Sequence, residues 1–152
     1  MKQIRIKVNK IIERFLVLIL VGMVLNVIWQ VFTRFFTSSP SAFTNELARY
    51  LMIWLGVLGA AYISGKQEHV AIDFFVKKLN NSLRRFIDRF VLLSILSFAF
   101  FVMIIGGINL VYITLKLEQY SPSLQIPLAL VYSIIPISGL LIIFYKVTQE
   151  KS

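Results

Sequence analysis

Four long stretches of this sequence carry no charged side chain, and their spacing constrains the fold more than any other feature. No Asp, Glu, Lys, Arg or His lies between Arg14 and Arg34, Arg49 and Lys66, Arg89 and Lys116, or Glu118 and Lys146, and the gaps hold 19, 16, 26 and 27 residues. A helix needs about 20 mainly apolar residues to cross the hydrocarbon core of a bilayer. The second gap is short alone, but Ser39-Pro40 offers a cap residue followed by proline at the first helical position, so its helix can begin well before Arg49. With 58% hydrophobic and 15% charged residues in 152, the chain lies far from soluble domains, which run at roughly 45–50% and 25%. These spacings predict an all-α integral membrane protein, a single membrane domain over residues 1–152 with spans near 11–33, 40–65, 86–115 and 123–146. No small-residue cleavage pattern follows the first block, so it is expected to stay as a span and not to be removed as a signal peptide. With no cysteine there is no disulfide framework, no thiolate metal site and no cysteine nucleophile.

The formal charge of +9 is unevenly placed. Lys2 to Arg14, Lys66 to Arg89 and Lys146 to Lys151 hold 13 of the 16 basic residues, leaving Arg34, Arg49 and Lys116 on the other side. Lys and Arg concentrate in cytoplasmic loops, so both termini and the central loop are expected in the cytoplasm. The basic residues flank spans and form no folded surface with base-reading groups, which argues against nucleic acid as a partner.

Between spans two and three, Ile72, Phe75, Val76, Leu79, Leu83, Phe86, Ile87 and Phe90 recur at three- and four-residue spacing opposite Lys77, Lys78, Arg84, Arg85 and Arg89. An apolar face opposite a basic one predicts an amphipathic helix in the membrane plane on the cytoplasmic side, over about 70–79, with Lys77, Lys78, Arg84 and Arg85 anchoring it to membrane phospholipids. Asn80-Asn81-Ser82 interrupts it, and Ser82 can cap the helix running into span three.

Inside the spans the polar residues are few and patterned. Gly22, Asn26, Gln30 and Thr33 fall on one face of span one, and amides in hydrocarbon need partners, so this face is expected to meet protein; Gln30 and Thr33 can alternatively sit at headgroup level. Gly56, Ala60 and Ser64 recur at every fourth position of span two, a packing face with its partner unnamed. Gly106, Gly107 and Asn109 suggest close packing near the outer end of span three. Ser121-Pro122 repeats the Ser39-Pro40 pattern and is read as the start of span four, which Pro136 should kink.

Chemistry is scarce. The membrane interior has no charged group, whereas ion pathways and proton relays usually carry one. Glu46 and Arg49 can pair on one helix face or bond a partner subunit. His69, with Asp73 one turn on, lacks the further ligands that zinc requires and reads as a hydrogen-bonded loop anchor. No nucleophile has a base and an orienting group, so no enzyme is expected. A homo-oligomeric channel lined by Asn26, Gln30 and Asn109 is the alternative to a packing subunit.

The segment from Phe43 to Ala61, reading Phe-Thr-Asn-Glu-Leu-Ala-Arg-Tyr-Leu-Met-Ile-Trp-Leu-Gly-Val-Leu-Gly-Ala-Ala, is followed by Glu68-His69-Val70 and later by Tyr120-Ser121-Pro122-Ser123-Leu124-Gln125-Ile126-Pro127, Tyr132 and Pro136. With four spans, this combination resembles the small membrane (Q) subunit of tripartite ATP-independent periplasmic (TRAP) transporters, over about Phe32 to Pro136. The resemblance implies a non-enzymatic subunit in a bacterial inner membrane that packs beside a large multi-span permease and extends its static scaffold for an elevator mechanism. It implies a transient periplasmic substrate-binding protein, organic acid substrates with sialic acid favoured, and sodium ions held by the large subunit, with no cofactor here. Glu46, Arg49, Trp54, Gly59, His69, Ser121, Pro122 and Pro127 would be the family positions, with structural or interfacial roles. The family often shows a tryptophan and a second acidic residue where Phe43 and Asn45 stand here, so no role that needs a carboxylate pair carries over.

Overall fold

In a computed structural model, residues 2–37, 41–66 and 81–149 are described. Helix α1 runs Lys2–Thr37 and α2 Ala42–Gly65. Helix α3, Asn81–Ser97, continues through a π-helical segment, Phe98–Gly106, into α4, Gly107–Lys116. A loop then leads to the short α5, Leu128–Tyr132, and to α6, Ile134–Gln149. Four helices are long and apolar enough to cross a membrane, and no strand occurs among the described residues. The chain is a multi-pass, all-α membrane protein. The predicted in-plane helix over 70–79, with His69, Asp73, Lys77 and Lys78, lies outside the described residues, as do Ser39 and Pro40.

The uncharged stretches set where helices cross, while the charged flanks stay helical beyond them. Helix α1 has 36 residues, and at 1.5 Å each it reaches about 54 Å, so its basic first turns project past a core of about 30 Å.

Helices α2 and α6 form the central pair; α1 packs on α2, and span three packs on α6. Span four is the most enclosed of the four, with 39% of its apolar stretch buried against 11% for each of the others, α2 included. Ile12, Leu58, Ile134 and Tyr145 form one buried cluster, and Ala61, Ala99 and Ile142 a second. Glycines permit the closest approaches: a Cβ on Gly139 would lie 2.9 Å from Met103 Cβ and 3.1 Å from the Ala99 carbonyl, and one on Gly107 2.9 Å from Pro136 Cδ. The π segment selects Gly107 for that contact. Its i→i+5 bonds put more residues in each turn than an α-helix has, so the inward face recurs at Ala99, Met103 with Ile104, and Gly107, leaving Gly106 exposed.

Span four departs from the expected start at 123. Residues 122–124 form a turn, and the helix begins at Leu128 after Pro127, which is extended at φ −61° and ψ 125°. The Ser123 and Leu124 amides, which a helix start would leave toward water, are taken by the Glu46 carboxylate 77 residues away. A tertiary acceptor thus overrides the local Ser-Pro signal. Pro136 acts as expected, though the break falls at Ser133, three residues upstream, because a proline crowds and unpairs the carbonyl four residues before it.

Candidate functional site

The polar residues gather at the two ends of the bundle. At the end opposite both chain termini, α2 begins with Ser41 in the cap position, and the Thr44 hydroxyl donates to the Ser41 carbonyl at 2.9 Å. Asn26, buried in α1, donates its amide to the Thr44 carbonyl at 2.7 Å, pinning the two helices together. A buried amide needs such a partner, and the first turn of α2 supplies it within the chain. Gln30 is half-buried one turn further out, and its carbonyl accepts the Thr33 hydroxyl at 3.0 Å.

One turn into α2, Glu46 binds the loop before span four. Oε1 accepts the Tyr50 hydroxyl at 2.9 Å, while Oε2 accepts the backbone N–H groups of Ser123 at 2.8 Å and Leu124 at 3.1 Å. Ser121 is wholly buried, and its hydroxyl accepts the same Leu124 N–H at 3.1 Å. Further bonds from Ser121 N to Ile126 O, Gln125 N to Ser121 O and Leu128 N to Gln119 O close the loop, with Tyr120 opposite Pro127. Gln125 turns back through a left-handed φ of 54°, its side-chain amide donating to the Pro122 carbonyl at 3.0 Å. A carboxylate is the strongest acceptor available to paired turn amides. Glu46 bonds these groups and not Arg49, whose side chain is exposed.

Trp54 ties the same two elements deeper down. Its indole N–H donates to the Val131 carbonyl at 3.0 Å, beside the break that Pro136 imposes, and its ring meets Phe15 at 6.0 Å. Trp54, Glu46, Ser121, Pro122 and Pro127, scattered in sequence, therefore belong to one junction between α2 and the entry to span four. The stripe on α2 behaves differently. Gly56 and Ala60 are exposed, and nothing lies within 4 Å of a Cβ placed on Gly56 or Gly59. The Ser64 hydroxyl, like that of Ser138, is buried without a hydrogen-bond partner. Arg84 and Arg85 lie in α3, with Arg85 exposed.

A second junction, absent from the sequence reading, joins the opposite ends. The Tyr145 hydroxyl, on a wholly buried side chain, donates to Asn9 Oδ1 at 2.6 Å; Tyr62 donates to Glu13 at 3.3 Å; and Arg5 donates to the Gly65 carbonyl at the end of α2. Lys66 sits over the Tyr62 ring at 4.8 Å. A cation at the carbonyl end of a helix satisfies an orphan acceptor and the helix dipole together. The available signal was weak: polar residues at span ends ordinarily face headgroups.

No group of three or more His, Cys, Asp or Glu able to hold a metal occurs among the described residues. The site that emerges is a pair of structural junctions in a four-span helical membrane protein. Comparison with known proteins identifies its class. The sequence profile of the DctQ component of tripartite ATP-independent periplasmic transporters matches residues 23–149, and the chain belongs to that family of small transporter permease components, which are not enzymes. The chain is 29% identical over 145 residues, covering 93% of itself and 86% of the relative, to a protein of Haemophilus influenzae Rd named as a TRAP transporter small permease. It is 36% identical over 102 residues to the C4-dicarboxylate TRAP transporter small permease protein DctQ of Rhodobacter capsulatus, covering 66% of this chain and 44% of that one. A third match, 36% over 66 residues, covers 43% of this chain but 11% of the sialic acid TRAP transporter permease protein SiaT of Haemophilus influenzae 86-028NP.

Proposed function

We propose that this chain is the small membrane subunit of a sodium-coupled TRAP transporter for organic acids, packed on a large permease in a bacterial inner membrane with both termini cytoplasmic. The match to SiaT supports the partnership: 66 residues of this chain resemble 11% of a longer protein named a TRAP transporter permease, so a segment like this one occurs within a permease polypeptide. The spans hold no charged group in their apolar interior, which suits a chain that leaves substrate and sodium to its partner. The junctions fix α2 to span four and α1 to α2, as a static scaffold beside a moving elevator requires. A periplasmic substrate-binding protein delivers the substrate transiently. Sialic acid is the first substrate to test, because a SiaQ small permease of Vibrio cholerae, 32% identical over 84 residues covering 55% of this chain and 49% of that protein, carries that name as SiaT does.

The test is uptake of radiolabelled sialic acid into proteoliposomes under a sodium gradient, with this chain alone, with the large permease and binding protein alone, and with all three. Uptake only with all three is the expected result. Uptake by this chain alone would make it an autonomous channel or transporter and overturn the scaffold role.

A further inference from the structure

A recess of about 590 Å³ lies between α1 and α2, in the half of the bundle opposite the chain termini. Its walls are Leu25, Trp29 and Phe32 of α1 with Phe43 and Leu47 of α2, and Asn26 lies between them. Leu25, Trp29, Phe32 and Phe43 are exposed, so the recess opens sideways to the membrane, whereas Asn26 is only 8% exposed and lies at depth. Stacking of Trp29 on Phe32 and of Phe32 on Phe36 holds the α1 wall in place.

Asn26 is half satisfied. Its side-chain N–H bonds the Thr44 carbonyl, but among the described residues nothing donates to its side-chain oxygen. Unlike the hydroxyls of Ser64 and Ser138, which are sealed off, that oxygen reaches the surface of the recess that Asn26 lines. A polar group left open at a site of low dielectric is costly, and here the missing partner is a hydrogen-bond donor.

Depth decides what can bring that donor. Asn26 lies eight residues in from Arg34, about 12 Å along the helix axis, close to the middle of a hydrocarbon core about 30 Å thick. Lipids carry no donor to that level: acyl chains have none, ester groups only accept, and headgroup hydroxyls and amines stay at the surface. Water is absent from the core. A Ser, Thr, Asn or Gln side chain on a neighbouring transmembrane helix does supply one.

We propose that a transmembrane helix of the large permease lies over this recess and sets such a side chain into it, donating to the Asn26 oxygen. The assignment rests on the small-subunit role proposed above. A second copy of this chain is a poor occupant, because a two-fold contact pairs a surface with itself and would set recess against recess, leaving both unfilled.

The test uses the full chain in membranes that also contain the large permease. A photoreactive benzophenone amino acid replaces Phe32 or Phe43, and adducts are identified by peptide mass. Adducts from both sites with one permease helix that carries Ser, Thr, Asn or Gln within a turn of the adduct are expected. Adducts to lipid alone or to a second copy, with the permease still co-purifying, overturn the site and leave the partnership standing. A cross-linked helix without such a side chain overturns the hydrogen bond. Failure of any permease to associate overturns the subunit role itself. Replacing the permease side chain by Leu should weaken association about tenfold, the scale of one interhelical hydrogen bond, and should have no further effect when this chain carries Asn26→Leu. Independent, additive losses would show that the two groups do not meet.

Discussion

Glu46 shows how one side chain can organise a junction that local sequence does not predict. From the chain alone it reads either as half of an ion pair with Arg49, three residues on along the same helix face, or as a bond to a partner subunit. In the folded protein its carboxylate closes a turn 77 residues away through the Ser123 and Leu124 amides. Glu46→Gln keeps the shape but replaces the carboxylate with a neutral, weaker acceptor, whose carbonyl can take the two N–H groups only if its NH2 faces the Tyr50 hydroxyl. The substitution should speed hydrogen exchange at the Leu124 amide and open the segment 117–127 to protease, with little change at α1; exchange mass spectrometry resolves the two regions. Unchanged exchange at Leu124 would show that Ser121 alone holds the turn. Asn26 is the converse case, since a lone amide in an apolar span demanded a protein partner on physical grounds, and the Thr44 carbonyl supplies it.

At the scale of elements, glycines divide by what surrounds them, which no spacing rule reveals. Gly139 faces span three with no room for a methyl group, whereas Gly56 and Gly59 face open space. Gly139→Ala should therefore destabilise the chain in detergent by roughly 1–3 kcal/mol, as overpacking does. Gly59→Ala should change it by less than about 0.5 kcal/mol, in line with substitutions away from close contacts. Equal effects, measured as shifts in the denaturation midpoint, would contradict the packing of span three on α6. The same element explains why span three hides Gly107 and exposes Gly106. A pattern of 3.6 residues per turn cannot register a π segment, because the longer hydrogen bonds that create it leave no mark in composition.

Across the whole molecule, orientation is the prediction that the charge pattern carries. The absence of cysteine makes every introduced thiol unique, so Lys10→Cys and Lys66→Cys should react with an impermeant maleimide only from the cytoplasmic side, and Ser123→Cys only from the periplasmic side. The reverse result would invert the topology inferred from Lys and Arg placement. An all-helical chain with four spans was legible in the sequence. Burial of long uncharged stretches in hydrocarbon depends on local composition alone, and each crossing is satisfied by its own backbone hydrogen bonds. Which helices touch, where span four begins and which polar groups meet were decided only by the tertiary structure. Asn9 and Tyr145, Glu46 and Leu124, and Trp54 and Val131 are 136, 78 and 77 residues apart, and a hydrogen bond between such groups exists only once packing has brought the helices together. Hydrophobic pattern selects the faces that leave water, whereas polar groups at the ends of spans have several ways to be satisfied, and the arrangement of the neighbouring helices chooses among them.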